Sequence, residues 1–263
     1  MSLAALIFDV DGTMADTEEA HREAFNAAFR KFDLRWNWGP LLYSELLDIS
    51  GGPARLYHFV DTITENPEEK SRLNQLVPEI HRAKSKLYAQ FLDEGRTPLR
   101  PGVERLIREA RTEGLKVGAI SSTASANASA LLCKHLGPPG LDRVDVLVSA
   151  ADTLRRKPAR DIYEAALAGL NLSPQVCAAF EDSANGLRAG KAAGLYTVVT
   201  PTRWTMAQDF AGADLLLPSL GDPGEAEDPA TERKIGEPYL SLAKIRALHA
   251  AWQAGAEPPR GTA

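Results

Sequence analysis

The sequence predicts an α/β protein: a Rossmann-like, doubly wound parallel sheet with a small all-helical domain inserted directly after its first strand. Three observations carry this. An almost wholly apolar run at residues 4–8 gives way abruptly to Asp9-Val10-Asp11-Gly12-Thr13. Residues 18–95 then show helical periodicity and no strand pattern. From Pro98 onward, short apolar runs alternate with amphipathic stretches, the pattern of successive strand–helix units.

Taken in order, residues 4–8 fit a strand buried on both faces. Phe25, Ala28, Phe29 and Phe32 recur at helical spacing and place a helix over residues 18–32. A polar region holding Trp36 and Trp38 precedes a second helical stretch, and Gly51-Gly52-Pro53 reads as a turn. Ile80, Ala83, Leu87 and Phe91 mark one face of a long helix ending near Gly95. Helices are expected over residues 101–113, 161–170 and 183–193, and another opens from the loop after residue 120. Strands are expected over residues 116–120, 144–148, 176–180 and 196–199, with a short sixth at 215–217. Residues 221–238 are rich in Gly, Pro and Glu and read as a linker. Beyond it, Leu242, Ile245, Leu248 and Trp252 form one amphipathic helix before an irregular end. The expected division is 1–15 with 99–220 as a catalytic core, 16–98 as a helical domain, and 221–263 as linker and terminal helix without an assigned role.

Composition narrows the function classes. A 263-residue chain with 44% hydrophobic and 25% charged residues can bury a core without staples. A net charge of −5 argues against nucleic acid or an anionic membrane as partner. Cys133 and Cys177 are two isolated cysteines, too few for a disulfide scaffold or a cysteine zinc site. No apolar run is long enough to span a bilayer, and the N-terminus lacks the basic segment of a signal peptide. A cytoplasmic protein acting as a monomer on a small molecule is expected.

Ligands of doubly wound sheets bind at the carboxyl ends of the strands, so the chemistry should lie there. Period-2 alternation aims Asp9 and Asp11 to one side, with Val10 turned into the core. Two such carboxylates about 4 Å apart repel by roughly 4 kcal/mol at an effective dielectric near 20, so a cation must join them. Ser121, Ser122 and Thr123 follow the second strand, where hydroxyls at a helix N-terminus suit phosphate oxygens. Lys157 follows the third strand and Glu181-Asp182 the fourth. Singly, these segments read as a turn, a helix cap, a solvated loop and a charged surface pair; their order across four strand ends is what points to catalysis.

This constellation resembles the haloacid dehalogenase-like phosphohydrolases over residues 3–220, and the helical insert resembles the small cap of the branch that holds sugar-phosphate phosphatases and beta-phosphoglucomutase. Residues 9–21, 51–55, 80–84 and 180–188 are similar to the CbbY-like group, phosphatases that remove xylulose 1,5-bisphosphate, an inhibitory misfire product of Rubisco. The resemblance implies a Calvin-cycle-associated hydrolase acting on a sugar phosphate. Asp9 would be the nucleophile and Asp11 the general acid and base. Mg²⁺ would be held by Asp9, the Asp11 carbonyl and Asp182, with Glu181 behind them. Ser121 and Lys157 would hold the transferring phosphoryl group, with Ser122 and Thr123 alongside. Asp11 separates phosphoryl chemistry from dehalogenation, because the dehalogenases carry no acid there.

For substrate choice the resemblance implies Glu18, Gly51, Gly52, Arg55, His81, Arg82 and Lys84 in the cap, and Asn127 in the loop after the second strand. Arg82 and Lys84 also fit a solvated helix face. Asp16 with Glu19 fits a capping box, and His21 fits either the mutase branch or a helix-packing histidine. Pro53 stands where close relatives carry lysine, which removes one expected contact to a distal phosphate. A sugar phosphomutase and a phosphatase for another sugar phosphate are the alternative functions.

Overall fold

The computed structural model describes residues 2–137, 143–224 and 229–255. The chain divides into two compact units, Met1–Asp16 with Leu99–Ala263, and Thr17–Pro98.

The first unit is built on a six-stranded, all-parallel sheet in the order β3-β2-β1-β4-β5-β6. Its strands are β1 (Ala5–Asp9), β2 (Lys116–Ser121), β3 (Val146–Ser149), β4 (Cys177–Glu181), β5 (Tyr196–Val199) and β6 (Leu215–Leu216). β1 is central because its five residues are all buried and tolerate neighbours on both edges and both faces. Phe8 stacks on Phe180 of the adjacent strand, ring centroids 4.5 Å apart, which fixes the β1–β4 register one residue before Asp9 and Glu181. Helices α5 (Val103–Thr112), α6 (Ser125–Leu136), α7 (Asp161–Leu170) and α8 (Ala184–Ala192) connect the strands. Ile162, Tyr163, Ala166, Leu167 and Leu170 of α7 close one core with Ile7, Ile120 and Val148.

The second unit is all helical among its described residues: α1 (Glu18–Lys31), α2 (Pro40–Leu46), α3 (Gly52–Ile63) and α4 (Pro67–Asp93). Two expectations change here. Gly51-Gly52-Pro53 is the start of α3 rather than a free turn: Gly51 is the N-cap at φ +93°, and Pro53 takes an early helical position, where its missing N–H costs nothing. The segment read as polar supplies a core residue, because Trp38 is fully buried among Phe25, Phe29 and Phe59 at centroid distances of 4.6, 4.9 and 5.3 Å. Asn26 makes this possible by accepting from the Trp38 N–H at 2.7 Å and donating to its carbonyl at 3.0 Å. The capping box of Asp16 with Glu19 does not form. Thr17 is the α1 N-cap without a side-chain hydrogen bond, and Glu19 pairs with Arg22.

The described residues after 220 are more structured than their composition suggests. α9 (Pro229–Ile235) and α10 (Leu242–Gln253) lie in this segment. Arg105 of α5 gathers it in: Nε donates to Asp222 Oδ1 at 3.1 Å, and Nη2 donates to the carbonyls of Gly221 at 2.7 Å and Leu240 at 3.2 Å. Leu240, Leu242 and Ile245 are buried, so described residues of this segment pack within the first unit. The irregular end expected beyond α10 falls mostly outside the described residues. Among those that are described, no helix is long and apolar enough to cross a membrane.

Candidate active site

Side chains from the ends of β1, β2 and β4 and from the segment after β3 come together, with strand boundaries shifted from those expected. Asp9 and Glu181 are the last residues of β1 and β4, and Ser121 is the last of β2. Lys157 lies in the segment between β3 and α7 and is buried; its peptide bond to Pro158 is cis. Its Nζ donates to Asp9 Oδ1 at 2.6 Å and to Glu181 Oε1 at 2.5 Å. Tyr163 of α7 donates to the same Glu181 oxygen at 2.7 Å. Glu181 Oε2 is buried and has no hydrogen-bond partner.

Burial pushes the Asp9 carboxyl well above the usual range; Lys157 opposes this, while Glu181, Asp182 and Asp11 add to it. Burial alone would lower the Lys157 ammonium, but Asp9 and Glu181 outweigh it and hold the lysine charged. One lysine therefore faces an excess of carboxylate. Oxygens of Asp9, Glu181 and Asp182 lie within 4.8 Å of one another, all on buried residues. Gly12, at φ +85°, leaves room for them, because a Cβ there would stand 2.7 Å from Cγ of Asp182. An all-oxygen donor set and an excess of negative charge together fit a hard divalent cation.

Asp11 is held from the neighbouring strand. Ser121 Oγ donates to its Oδ2 at 2.9 Å, and Thr123 Oγ1 lies 2.8 Å from the same hydroxyl. The three hydroxyls precede the helix rather than capping it, since the α6 N-cap is Ala124. Ser122 offers its carbonyl to Arg156 at 3.4 Å. Asn127 is in the first turn of α6, not in the loop before it.

Within the helical unit the predicted residues fall into two groups. Glu18 accepts from the Tyr43 hydroxyl at 2.7 Å, and that hydroxyl accepts from Arg55 Nη1 at 3.2 Å. Arg55 Nε is fixed on the Leu46 carbonyl at 2.9 Å. In the second group, Lys84 Nζ lies 2.6 Å from His21 Nδ1 and over the rings of Phe25 and Tyr88 at 4.8 and 5.1 Å. An ammonium only donates, which makes Nδ1 the acceptor of this pair. His81 packs on Gly52, where a Cβ would stand 2.6 Å from its Nε2. Lys84 is buried while Arg82 is exposed, so the solvated-face reading describes Arg82 alone.

Tyr163 and Tyr43 were not singled out from the sequence. Tyr163 leaves a partial signal, a hydroxyl-bearing aromatic at an apolar helix position six residues after the lysine. Tyr43 leaves none.

Residues 3–194 match the haloacid dehalogenase-like hydrolase family. Protein CbbY (plasmid) of Cupriavidus necator is 43% identical over 247 residues, spanning 94% of this chain and 97% of that protein. The crystal structure of CbbY from Rhodobacter sphaeroides in complex with phosphate is similar at TM-score 0.76 and 38% identity, over 84% of this chain and 96% of that one. A mutant of that CbbY in complex with xylulose-(1,5)bisphosphate gives the same values. Beta-phosphoglucomutase of Bacillus subtilis is 30% identical over 222 residues, 84% of this chain and 91% of that enzyme. The match runs through every strand end described above, and the chain belongs to the haloacid dehalogenase-like hydrolases, as a phosphohydrolase of their CbbY-like group.

Proposed function

We propose that the protein is a Mg²⁺-dependent sugar-bisphosphate phosphatase that converts xylulose 1,5-bisphosphate to xylulose 5-phosphate and inorganic phosphate, in the service of the Calvin cycle. The observation that carries this reading is the buried cluster of Asp9, Lys157 and Glu181, with Asp11 fixed nearby by Ser121. A carboxylate of Asp9 attacks phosphorus while the bond to the sugar oxygen breaks, and Asp11 gives that oxygen its proton. Water then attacks the aspartyl-phosphate and loses its proton to Asp11. Phosphate leaves and Asp9 is restored. Lys157, kept charged by its two carboxylates, is a point charge for the transferring phosphoryl oxygens. Asp9, Asp182 and the Asp11 carbonyl would hold Mg²⁺, with Glu181 orienting Lys157 beside them. When bound, the ion supplies positive charge against the phosphoryl oxygens and relieves the carboxylate repulsion.

The xylulose-(1,5)bisphosphate complex of the R. sphaeroides enzyme supports this choice of substrate. Within the helical unit, Arg55 and Lys84 are the buried cations assigned to the second phosphate, with Glu18 on a sugar hydroxyl and Gly51, Gly52 and His81 shaping the approach. The test is a panel of pentulose and hexose mono- and bisphosphates incubated with Mg²⁺ and followed by phosphorus NMR. One phosphate released per xylulose 1,5-bisphosphate is expected. Migration of phosphate on a sugar monophosphate without release would instead establish the mutase.

A further inference from the structure

Arg100 Nη1 donates to the carbonyl of Gly12 at 2.6 Å, to the carbonyl of Thr200 at 2.6 Å and to its hydroxyl at 3.1 Å. Its Nη2 donates to the carbonyls of Pro201 and Pro218, each at 3.1 Å. One guanidinium thus ties together the loops that follow β1, β5 and β6. No ion pair to a carboxylate is formed by it among the described residues, and its two terminal nitrogens serve four backbone carbonyls and one threonine hydroxyl. The main chain reinforces the link. Arg100 N–H donates to the Met14 carbonyl at 2.9 Å, and Leu99 bridges to Ala15.

The loop after β1 is the segment that carries Asp11. Its turn closes on itself through Gly12 N–H to the Ala15 carbonyl at 2.9 Å and Met14 N–H to the Val10 carbonyl at 3.0 Å. Ser121 holds the Asp11 carboxylate. The peptide that follows Asp11 begins at a glycine with positive φ, the residue least able to hold its own conformation. On the far side of that glycine, its carbonyl is held from outside the turn by Arg100.

We propose that Arg100 is a positioning residue for Asp11, locking the Asp11–Gly12 turn to the loops after β5 and β6 so that the carboxyl meets the leaving oxygen. This rests on the reading of Asp11 as general acid. Misplacement of an acid by about 1 Å can cost on the order of a hundredfold, and the loss should grow with the leaving group's need for a proton.

The test compares wild type, Arg100→Lys, Arg100→Gln and Asp11→Asn by kcat/KM on aryl phosphates of graded leaving-group acidity, with folding checked by circular dichroism. Lysine keeps the charge but not the fork. Both Arg100 variants should lose about tenfold or more on phenyl phosphate and at most about threefold on 2,4-dinitrophenyl phosphate, as expected for impaired general acid catalysis. An equal loss on every substrate, no loss, or failure of both variants to fold would make Arg100 purely structural and overturn the proposal. Asp11→Asn should steepen the same dependence further. If it does not, the reading of Asp11 itself fails, which separates the two failures.

Discussion

Lys157 Nζ lies 2.6 Å from Asp9 Oδ1 with both residues buried, and the same ammonium also serves Glu181. Neither carboxylate has a second cation among the ion pairs of the described residues. Lys157→Met should therefore lower kcat/KM by about two to three orders of magnitude, the scale of losing one group that stabilises transition-state charge. It should also cost about 3–5 kcal/mol of stability, because buried charges are left without their partner. Steady-state kinetics and urea unfolding measure the two effects. Unchanged stability would mean that the carboxylates find another partner.

Gly12→Ala tests the cradle around Asp182. The residue sits at φ +85° and its new methyl would collide with the Asp182 carboxylate. Backbone strain alone should cost about 1–2 kcal/mol. Displacement of Asp182 should raise the Mg²⁺ concentration for half-maximal activity by about tenfold or more, since donor geometry sets affinity for a small, rigidly octahedral ion. A Mg²⁺ titration checks this, and an unshifted midpoint would remove Asp182 from the ligand set.

Lys84 and Arg82 lie two residues apart on α4 but differ in burial. Lys84→Ala should impair hydrolysis of xylulose 1,5-bisphosphate strongly, by about a hundredfold, because a desolvated charge is worth far more than an exposed one. Arg82→Ala should change the same rate by less than about threefold, as for other exposed charges. Parallel assays on the bisphosphate decide the matter, and equal losses would return Arg82 to the binding residues.

His249 of α10 is buried against Tyr196 and Trp252, and burial lowers its pKa from the ordinary value of 6.5. The folded chain thus resists a proton that the unfolded chain accepts. As pH falls through about 6.5 the unfolded state gains protons and stability drops, and it returns as pH rises. His249→Phe keeps an aromatic ring and removes the titration. Melting temperatures at pH 7.5 and 5.5 should differ less for the variant than for wild type; equal differences would exclude His249 as a source of acid sensitivity.

The succession of strands along the chain and the acid pairs were legible in the sequence because each rests on a local pattern, a short apolar run ended by polar or charged residues. β5 was bounded correctly, while β1 and β4 were placed one residue early because Asp9 and Glu181 look like loop residues although their backbones remain in the sheet. What was not legible depends on long-range partners. Trp38 belongs to the core only because Asn26, twelve residues earlier, satisfies its backbone. Gly221, Asp222 and Leu240 gather on Arg105 through their oxygens, which no feature of a Gly- and Pro-rich stretch announces. Tyr163 and Arg100 make their hydrogen bonds to groups brought near them by folding, which spacing along the chain does not reveal for Arg100.

The central position of β1 bears on how the protein is made. Its partners β2 and β4 begin at Lys116 and Cys177, so a ribosome releases the middle of the sheet first and its two neighbours much later. Meanwhile the whole of Thr17–Pro98 emerges, and the aromatic core around Trp38 needs only residues from that stretch. The inserted unit is free to fold during translation while Leu6, Ile7 and Phe8 wait uncovered. Pairings of such long sequence separation are slow to form and expose apolar edges in the interval. The strand end that carries Asp9 thus emerges well ahead of its lysine partner, which lies 148 residues further along the chain, and of the glutamate beyond that.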